Sequence, residues 1–266
     1  MALDAPPLGV VFLKMNLRNN EVHLYFSWPE QITDDGLLRR YRSLLSVKEL
    51  AQMERFYYAR HRHQFLITRA LIRTSLSACY QVDPSEWQFG KNGFGKPEIS
   101  HPDKTLPVRF NISHADGLIM CGLVRDHDIG VDVEDRQRST RAALESLSSY
   151  FSRQEIEDLG KLSPDQQKQR FFDYWTLKES YIKARGAGLS IPLGKFSFHF
   201  QANTLSGFNI HPDLKDDARS WQFWRIPMAD RYQIAVAINS PKKDFELIAF
   251  NSVPLQDTEP MALSFL

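Results

Sequence analysis

The chain has 266 residues, of which 42% are hydrophobic and 24% charged, a composition typical of a soluble globular protein and not of a disordered one. Its 33 Lys and Arg nearly balance its 32 Asp and Glu, and the net charge of +1 argues against a general attraction for nucleic acid. Apolar runs are too short to cross a bilayer and residues 1–7 lack a cationic signal start, so we expect a cytoplasmic protein. Two cysteines without metal-type spacing exclude a disulfide scaffold and give structural zinc no support.

The first half of the chain is predicted to alternate strands and helices. In chain order these are a strand over 21–27, helices over 37–45 and 60–80, and strands over 108–112 and 118–124. Ser46 and Glu49 have the spacing of a capping box, which begins a further helical segment between the two helices. Residues 82–107 contain several prolines and glycines, which indicate turns and irregular connections.

The second half is predicted to repeat this order. It comprises a strand over 129–133, helices over 142–151, 152–159 and 165–185, and strands over 196–200 and 232–238. We place the boundary at residues 126–128, which divides the chain into an N-terminal half over 1–126, a C-terminal half over 127–250 and a tail over 251–266. Because strand, helices and strands occur once in each half, the sequence predicts an α+β fold of two similar halves.

The first site with chemical content is the acidic pair Asp132 and Glu134. Residues two apart on a strand point to the same side, so both carboxylates project together while Val131 and Val133 face the core. A divalent cation relieves the repulsion between two such carboxylates, and oxygen ligands favour magnesium. The alternative is an exposed strand end without a ligand, which spacing alone favours because such pairs are common on surfaces.

A second candidate lies in the segment 171–185, where Glu179 and Lys183 are four residues apart on one helical face. Glu179 could complete a metal shell or accept a proton, and Lys183 could neutralise phosphate oxygens. The alternative is a solvated salt bridge. The apolar residues of the same segment are interpreted as core packing: Trp175, Leu177, Tyr181 and Ile182.

Ser113 and His114 stand at the end of a buried strand, where a rigid scaffold commonly carries binding groups. His114 could donate a hydrogen bond to a phosphate oxygen, or it is an exposed turn histidine. A Ser/His nucleophilic pair is disfavoured, because adjacent residues at a strand end point apart and no nucleophile-elbow glycine pattern surrounds Ser113. A basic run before and within the predicted helix over 60–80 either grips a polyanion or forms a solvated face; it comprises Arg55, Arg60, His61, Arg62, His63, Arg69 and Arg73.

Three ordered motifs give the chain a resemblance to the 4′-phosphopantetheinyl transferases. They are FNISH at 110–114, IGVDVE at 129–134 and WTLKESYIK at 175–183, and the similarity extends over residues 55–193, including GKP at 95–97. The chain is similar to the two-domain, surfactin-synthetase-activating type, since it is about twice as long as the short holo-acyl-carrier-protein synthases.

The resemblance implies a pseudo-dimer of two α+β halves with coenzyme A bound in the cleft between them, where the active site lies. It also implies transfer of the phosphopantetheine arm of coenzyme A to a serine of an apo acyl or peptidyl carrier protein, with 3′,5′-adenosine bisphosphate as the leaving group. A monomer is expected, because the two halves already supply the internal pairing, and neither nucleic acid nor membrane is an expected partner.

The resemblance also assigns roles to individual residues. Asp132, Glu134 and Glu179 match the magnesium-binding acids, Lys183 matches a lysine close to the reacting phosphate, and the expected catalytic residues are Glu179, Lys183 and Asp132. The residues matched to coenzyme A contacts are Arg60, Lys96, Pro97, Asn111, Ile112, Ser113, His114 and Lys183, with His114 on the pyrophosphate, Lys96 and Pro97 beside the nucleotide, and Arg60 at the 3′-phosphate. Gln64 stands where some members have an arginine, which weakens the 3′-phosphate assignment.

Two other classes compete with this interpretation. One is another magnesium-dependent phosphotransferase or nuclease, which also needs clustered carboxylates and cations. The other is a non-catalytic module that binds coenzyme A or a carrier protein, and the intact set of Asp132, Glu134, Glu179 and Lys183 argues against it. A structural protein would leave the order of the three motifs unexplained.

Overall fold

The computed structural model of the chain describes residues 15–140 and 146–265, and twelve strands and five α-helices lie within these ranges. The strands are β1 (Glu21–Ser27), β2 (Gln88–Lys91), β3 (Pro97–His101), β4 (Val108–Ala115), β5 (Leu118–Arg125), β6 (Asp128–Asp135), β7 (Phe196–Gln201), β8 (Thr204–Ile210), β9 (Trp221–Met228), β10 (Tyr232–Asn239), β11 (Glu246–Val253) and β12 (Asp257–Met261). The helices are α1 (Asp35–Leu44), α2 (Val47–Glu54), α3 (Ala59–Tyr80), α4 (Arg153–Leu159) and α5 (Pro164–Arg185). No helix of the described ranges is long and apolar enough to cross a membrane.

Two sheets and two hairpins organise the strands. The larger sheet has the order β12-β11-β1-β5-β4, in which β1 and β11 are parallel and the other pairs antiparallel. The smaller sheet has the order β6-β10-β9 and is antiparallel. The strands β2 and β3 pair with each other, as do β7 and β8. Helices and strands thus combine in a mixed α+β fold, which confirms the predicted class.

Most predicted elements are confirmed within a few residues. Strand β1 has the predicted bounds, and Ser46 caps α2 through the predicted capping box with Glu49. Of the predicted helix over 142–151, residues 142–145 lie outside the described residues, and 147–149 form a short 3₁₀ turn.

The predicted tail is wrong as a description of the last dozen residues. Strand β12 lies within it and pairs with β11, which in turn pairs with β1. The larger sheet therefore combines strands from both ends of the chain. The sequence also predicts no strand for the residues of β8, β9, β11 and the β2–β3 hairpin. The boundary at 126–128 remains a prediction.

The apolar core has three parts, which lie between four layers in the order helix, sheet, sheet, helix. Helix α3 packs on one face of the larger sheet, through residues such as Leu66 and Leu71. The other face, including Leu24, packs against Val131 and Val133 of the smaller sheet. Helix α5 packs on the outer face of the smaller sheet. Because β6 is buried between these layers, the polar residues on it lie at the contact between α5 and the sheets.

Helix α5 approaches β6 very closely at Gly130. A Cβ atom placed on Gly130 would lie 1.8 Å from the carbonyl oxygen of Ser180 and 2.4 Å from the backbone nitrogen of Ala184. Only glycine fits at such a backbone contact. The approach places the segment of α5 that carries Glu179 and Lys183 directly over the strand that carries Asp132.

Candidate active site

Asp132 occupies a buried position on the face of β6 that points away from Val131 and Val133, as the strand period predicts. Its Oδ1 accepts hydrogen bonds from Nζ of Lys183 at 2.6 Å and from Oγ of Ser113 at 3.0 Å. Its Oδ2 is buried and has no hydrogen-bond partner among the described residues. The carboxylate is therefore half satisfied, and one oxygen stays free for a ligand.

Lys183 donates hydrogen bonds to three acceptors at this site. Besides Asp132, its ammonium donates to Oγ of Ser113 at 2.9 Å and to the carbonyl oxygen of Val131 at 3.2 Å. Its side chain remains 27% exposed. A lysine with three acceptors is held in one place, and its charge still faces the solvent-accessible side of the site.

Glu134 lies two residues further along β6. Its Oε1 accepts a hydrogen bond from the indole Nε1 of Trp175 at 2.8 Å, and Arg138 lies 3.3 Å from the same oxygen. Burial, followed by the negative charge of Asp132, raises the pKa of Glu134 to about 7, although Arg138, Trp175 and Lys183 act in the opposite direction. A proton or a cation at this carboxylate would relieve the unfavourable charge.

Glu179 is half-buried on α5, one turn before Lys183. Burial is the main cause that raises its pKa, the charge of Asp132 adds to the increase, and Lys183 opposes it. Asp132 thus raises the pKa of both Glu134 and Glu179, which means that its carboxylate repels each of the two glutamates.

A metal ion could relieve this repulsion, but the arrangement is not that of a preformed metal centre. Within 15–140 and 146–265, no group of three or more His, Cys, Asp and Glu side chains is arranged to hold a metal. The donor chemistry nevertheless fits magnesium, because all three candidate groups are carboxylates and Oδ2 of Asp132 is a buried oxygen without a partner.

A cavity of about 800 Å³ opens beside Glu134 and joins β6 to the start of α3 and the turn between β4 and β5. His114, Arg60 and Gln64 line it together with Glu134. Partial desolvation, followed by the positive charge of Lys183, lowers the pKa of His114, and Asp132 opposes this shift. The structure thus brings together His114, Arg60 and one of the predicted metal-binding acids.

Lys96 and Pro97 lie elsewhere, on a separate cavity of about 380 Å³. The ammonium of Lys96 donates to the carbonyl oxygens of Ala184 at 2.9 Å and Ile129 at 3.2 Å. Burial lowers the pKa of Lys96. Lys96 therefore connects the β2–β3 hairpin to the end of α5. It does not line the cavity that His114 and Arg60 line.

The side chains of the FNISH segment point in two opposite directions, because successive residues of a β-strand alternate between its two sides. Phe110 and Ile112 pack against the core around α3. Asn111 and Ser113 point to β6, where Oδ1 of Asn111 accepts the backbone N–H of Val131 at 2.9 Å. Of the predicted coenzyme A contacts in this segment, only His114 lines the cavity beside Glu134.

Two side chains that contact Glu134, those of Arg138 and Trp175, are absent from the site predicted from the sequence, where Trp175 is interpreted as core packing. Trp175 does pack partly against the core around α5, and its indole N–H also holds Glu134. Its spacing was an available signal: Trp175, Glu179 and Lys183 are each four residues apart, and a helix places residues at this spacing on one face.

Comparison with known proteins finds similarity over most of the chain. Residues 128–237 match the family model of the 4′-phosphopantetheinyl transferase superfamily, and residues 34–122 match that of the 4′-phosphopantetheinyl transferase N-terminal region. The two matches cover α1–α3 with β2–β4 and most of β5, and then β6, α5 and most of β10. The class of protein is therefore that of the phosphopantetheinyl transferases.

Similar proteins of known name specify the type. A 4′-phosphopantetheinyl transferase of Bacillus subtilis is 38% identical over 203 residues, which cover 76% of this chain and 85% of the relative. The transferase Sfp of Bacillus subtilis strain 168 is 36% identical, over 59% of this chain and 67% of the relative. The transferase HetI of Nostoc sp. strain PCC 7120 is 34% identical, over 66% of this chain and 73% of the relative. The chain belongs to the 4′-phosphopantetheinyl transferase family and is an enzyme of the Sfp- and HetI-like type, which confirms the predicted family.

Proposed function

We propose that this enzyme transfers the 4′-phosphopantetheine arm of coenzyme A to a serine of an apo acyl or peptidyl carrier protein and releases 3′,5′-adenosine bisphosphate. The observation that carries the proposal is the contact of 2.6 Å between Lys183 and Asp132, beside two further acids, Glu134 and Glu179. Phosphoryl transfer needs this combination of a fixed cation and clustered carboxylates.

Coenzyme A is assigned to the cavity beside Glu134. Its volume of about 800 Å³ is in the range of cofactor sites, and its lining includes Arg60, His61, His63, His114 and Arg138. In this assignment His114 donates to the pyrophosphate and Arg60 pairs with the 3′-phosphate. Lys96 and Pro97, on the separate cavity, remain a prediction for the nucleotide end.

Magnesium would be held by Asp132, Glu134 and Glu179, and the buried free oxygen of Asp132 supports this choice of ligands. When bound, the ion would neutralise negative charge on the phosphate oxygens of the substrate. The repulsion that Asp132 exerts on Glu134 and on Glu179 gives it a physical reason to bind.

The residues of the chain then perform two further tasks. Lys183, fixed by three acceptors, places a positive charge where the leaving phosphate oxygen develops its negative charge. Glu179 accepts the proton of the carrier serine, directly or through a water molecule, because its raised pKa makes it a stronger base than an ordinary carboxylate.

The proposal places the active site in a cleft between two halves of the chain. The cavity supports this placement, because His114 comes from the segment before the predicted boundary and Glu134 from the segment after it. We also propose that the enzyme acts as a cytoplasmic monomer.

The direct test combines purified enzyme, coenzyme A, magnesium and an apo acyl or peptidyl carrier protein, and measures the intact mass of the carrier. We expect a gain of one phosphopantetheine group that is lost with EDTA and with Glu179→Ala. The control is Ser252→Ala, far from the site, in which the mass gain should persist. Absence of transfer to both kinds of carrier, or hydrolysis of coenzyme A without any carrier, would contradict the proposal.

A further inference from the structure

The two sheets meet along the edges formed by β4 and β6. Strand β4 ends the larger sheet and strand β6 ends the smaller one, and the two strands are not paired with each other as a backbone ladder. They nevertheless lie in contact along their length. An unpaired strand edge leaves backbone N–H groups without partners, so something else must satisfy them in this buried place.

Two side chains of β4 supply the missing acceptors. Oδ1 of Asn111 accepts the N–H of Val131 at 2.9 Å, and Oγ of Ser113 accepts the N–H of Val133 at 3.2 Å. The two donors are two residues apart on β6 and the two acceptors are two residues apart on β4, which is the two-residue repeat of a β-strand. We call this pair of side chain-to-backbone bonds the edge stitch.

Asp132 lies between the two stitched N–H groups. The backbone is thus held on each side of the residue, and Oγ of Ser113 also donates to the Asp132 carboxylate at 3.0 Å. Ser113 further accepts from Lys183 at 2.9 Å, so one hydroxyl links the strand edge, the acid and the cation. The side chains of Asn111 and Ser113 are each only 6% exposed, which leaves little surface for contact with a ligand.

We propose that Asn111 and Ser113 are positioning residues for Asp132 and Lys183, acting through the edge stitch and not through contact with coenzyme A. The inference rests on the proposed function, because the positions of Asp132 and Lys183 matter only if these residues take part in the transfer reaction. Loss of either acceptor leaves a buried N–H unpaired and frees the edge of β6 to shift. A shift of about 1 Å at a reacting group lowers a rate by roughly 100-fold.

The test uses Asn111→Ala and Ser113→Ala and separates turnover from binding. At saturating coenzyme A and carrier, kcat should fall by about 10-fold to 100-fold, while the Kd for coenzyme A, measured by calorimetry in EDTA, stays within about threefold. Backbone hydrogen exchange should accelerate at Val131 in Asn111→Ala and at Val133 in Ser113→Ala. Ser113→Cys keeps a weak acceptor and adds no carboxylate, so it should recover part of kcat even if Ser113→Ala folds poorly.

A matched control is Ser252→Ala in the same sheet. Ser252 is 3% exposed and its hydroxyl shares a hydrogen bond of 2.9 Å with Thr258 across β11 and β12, far from β6. This variant should lose stability but keep kcat. If Asn111→Ala or Ser113→Ala behaves in the same way, the stitch is merely structural and the proposal is overturned.

Two other results would also overturn it. A Kd for coenzyme A raised by 10-fold or more, with kcat retained at saturation, would make Asn111 and Ser113 contact residues. Wild-type enzyme that modifies no carrier would contradict the proposed function itself and the positioning role with it. The hydrogen-exchange measurement does not depend on activity, so the two failures can be told apart.

Discussion

Lys183 and Asp132 form an ion pair in which only one carboxylate oxygen takes part. The ammonium lies 2.6 Å from Oδ1, while Oδ2 is buried without a hydrogen-bond partner in the part of the chain that the structure describes. A buried polar atom without a partner costs free energy, and its presence in a folded protein therefore needs an explanation such as a bound ligand. The pair therefore combines two properties: Lys183 holds the carboxylate in place through Oδ1, and Oδ2 is the oxygen that would bind the proposed metal ion.

The first prediction concerns Asp132→Ala. We expect a loss of turnover of about 1000-fold or more, because both the anchor of Lys183 and a proposed metal ligand are removed. The fold should stay intact, since Lys183 is 27% exposed and its ammonium can turn to water. The rate is measured from the mass of the carrier, and the fold by circular dichroism. A variant with a near-normal rate in magnesium would contradict the assignment of Asp132 as a metal ligand.

The second prediction follows from the raised pKa of Glu134. In the folded protein this pKa is about 7, above the ordinary value of 4.5, so the folded state holds the proton more tightly than the unfolded state. The associated stability is complete below pH 4.5 and is lost as the pH rises through 7. In metal-free protein, Glu134→Gln should therefore increase the free energy of unfolding at pH 8, by up to about 3 kcal/mol, and change it little at pH 4.5.

Urea unfolding in EDTA at pH 4.5 and 8 measures this effect. The glutamine carbonyl can still accept the hydrogen bond from Trp175, so the comparison isolates the charge. Added magnesium should stabilise the wild type more than the variant if Glu134 is a ligand. A variant that is less stable than the wild type at pH 8 would show that the charge of Glu134 is already compensated in the folded protein.

The sequence predicted local structure well because local patterns determine it. Alternating apolar residues predicted β1, and the spacing of Ser46 and Glu49 predicted the cap of α2. The pairing of β11 with β1 could not be predicted, because parallel partners far apart in the chain leave no local signal. This missing information is why the last residues were interpreted as a tail.

The candidate site was predictable to a similar degree. The motifs identified Asp132, Glu134, Glu179 and Lys183, and α5 does lie over β6. The group that the Asn111 side chain contacts depends on which strand lies beside β4. That strand is β6, which belongs to the other sheet. A sequence pattern gives the alternation of a strand but not the identity of what its polar face meets.

The third prediction concerns the fully buried pair of Lys178 and Glu155. Their charged atoms lie 2.8 Å apart with both side chains at 0% exposure, and Lys178 also donates to the carbonyl oxygens of Leu193 and Phe196. Lys178→Met would leave Glu155 as an isolated buried charge, so we expect a loss of about 3–5 kcal/mol in the free energy of unfolding. Urea unfolding gives the value.

A double variant distinguishes the cost of the isolated charge from the loss of the lysine. Lys178→Met combined with Glu155→Gln should recover much of the stability, because the glutamine carries no charge and keeps a carbonyl oxygen for the cap at Ser152. The exposed pair of Arg153 and Glu157 provides the matched control, and Arg153→Ala should leave stability almost unchanged. A double variant no more stable than Lys178→Met would contradict the explanation by charge burial.

The fourth prediction concerns the contact between α5 and β6. Gly130→Ala would place a Cβ atom 1.8 Å from the carbonyl oxygen of Ser180 and 2.4 Å from the nitrogen of Ala184, and neither backbone atom can rotate away. Helix α5 would have to move, so we expect a destabilisation of about 3 kcal/mol or more. Because α5 carries Glu179 and Lys183, kcat should fall as well, even at a temperature where the variant is folded.

Gly194→Ala is the matched control, since no other atom of the described chain lies within 4 Å of the added Cβ, and it should keep both stability and kcat. If Gly130→Ala lost stability but kept full kcat, the position of α5 over β6 would not be what sets the rate.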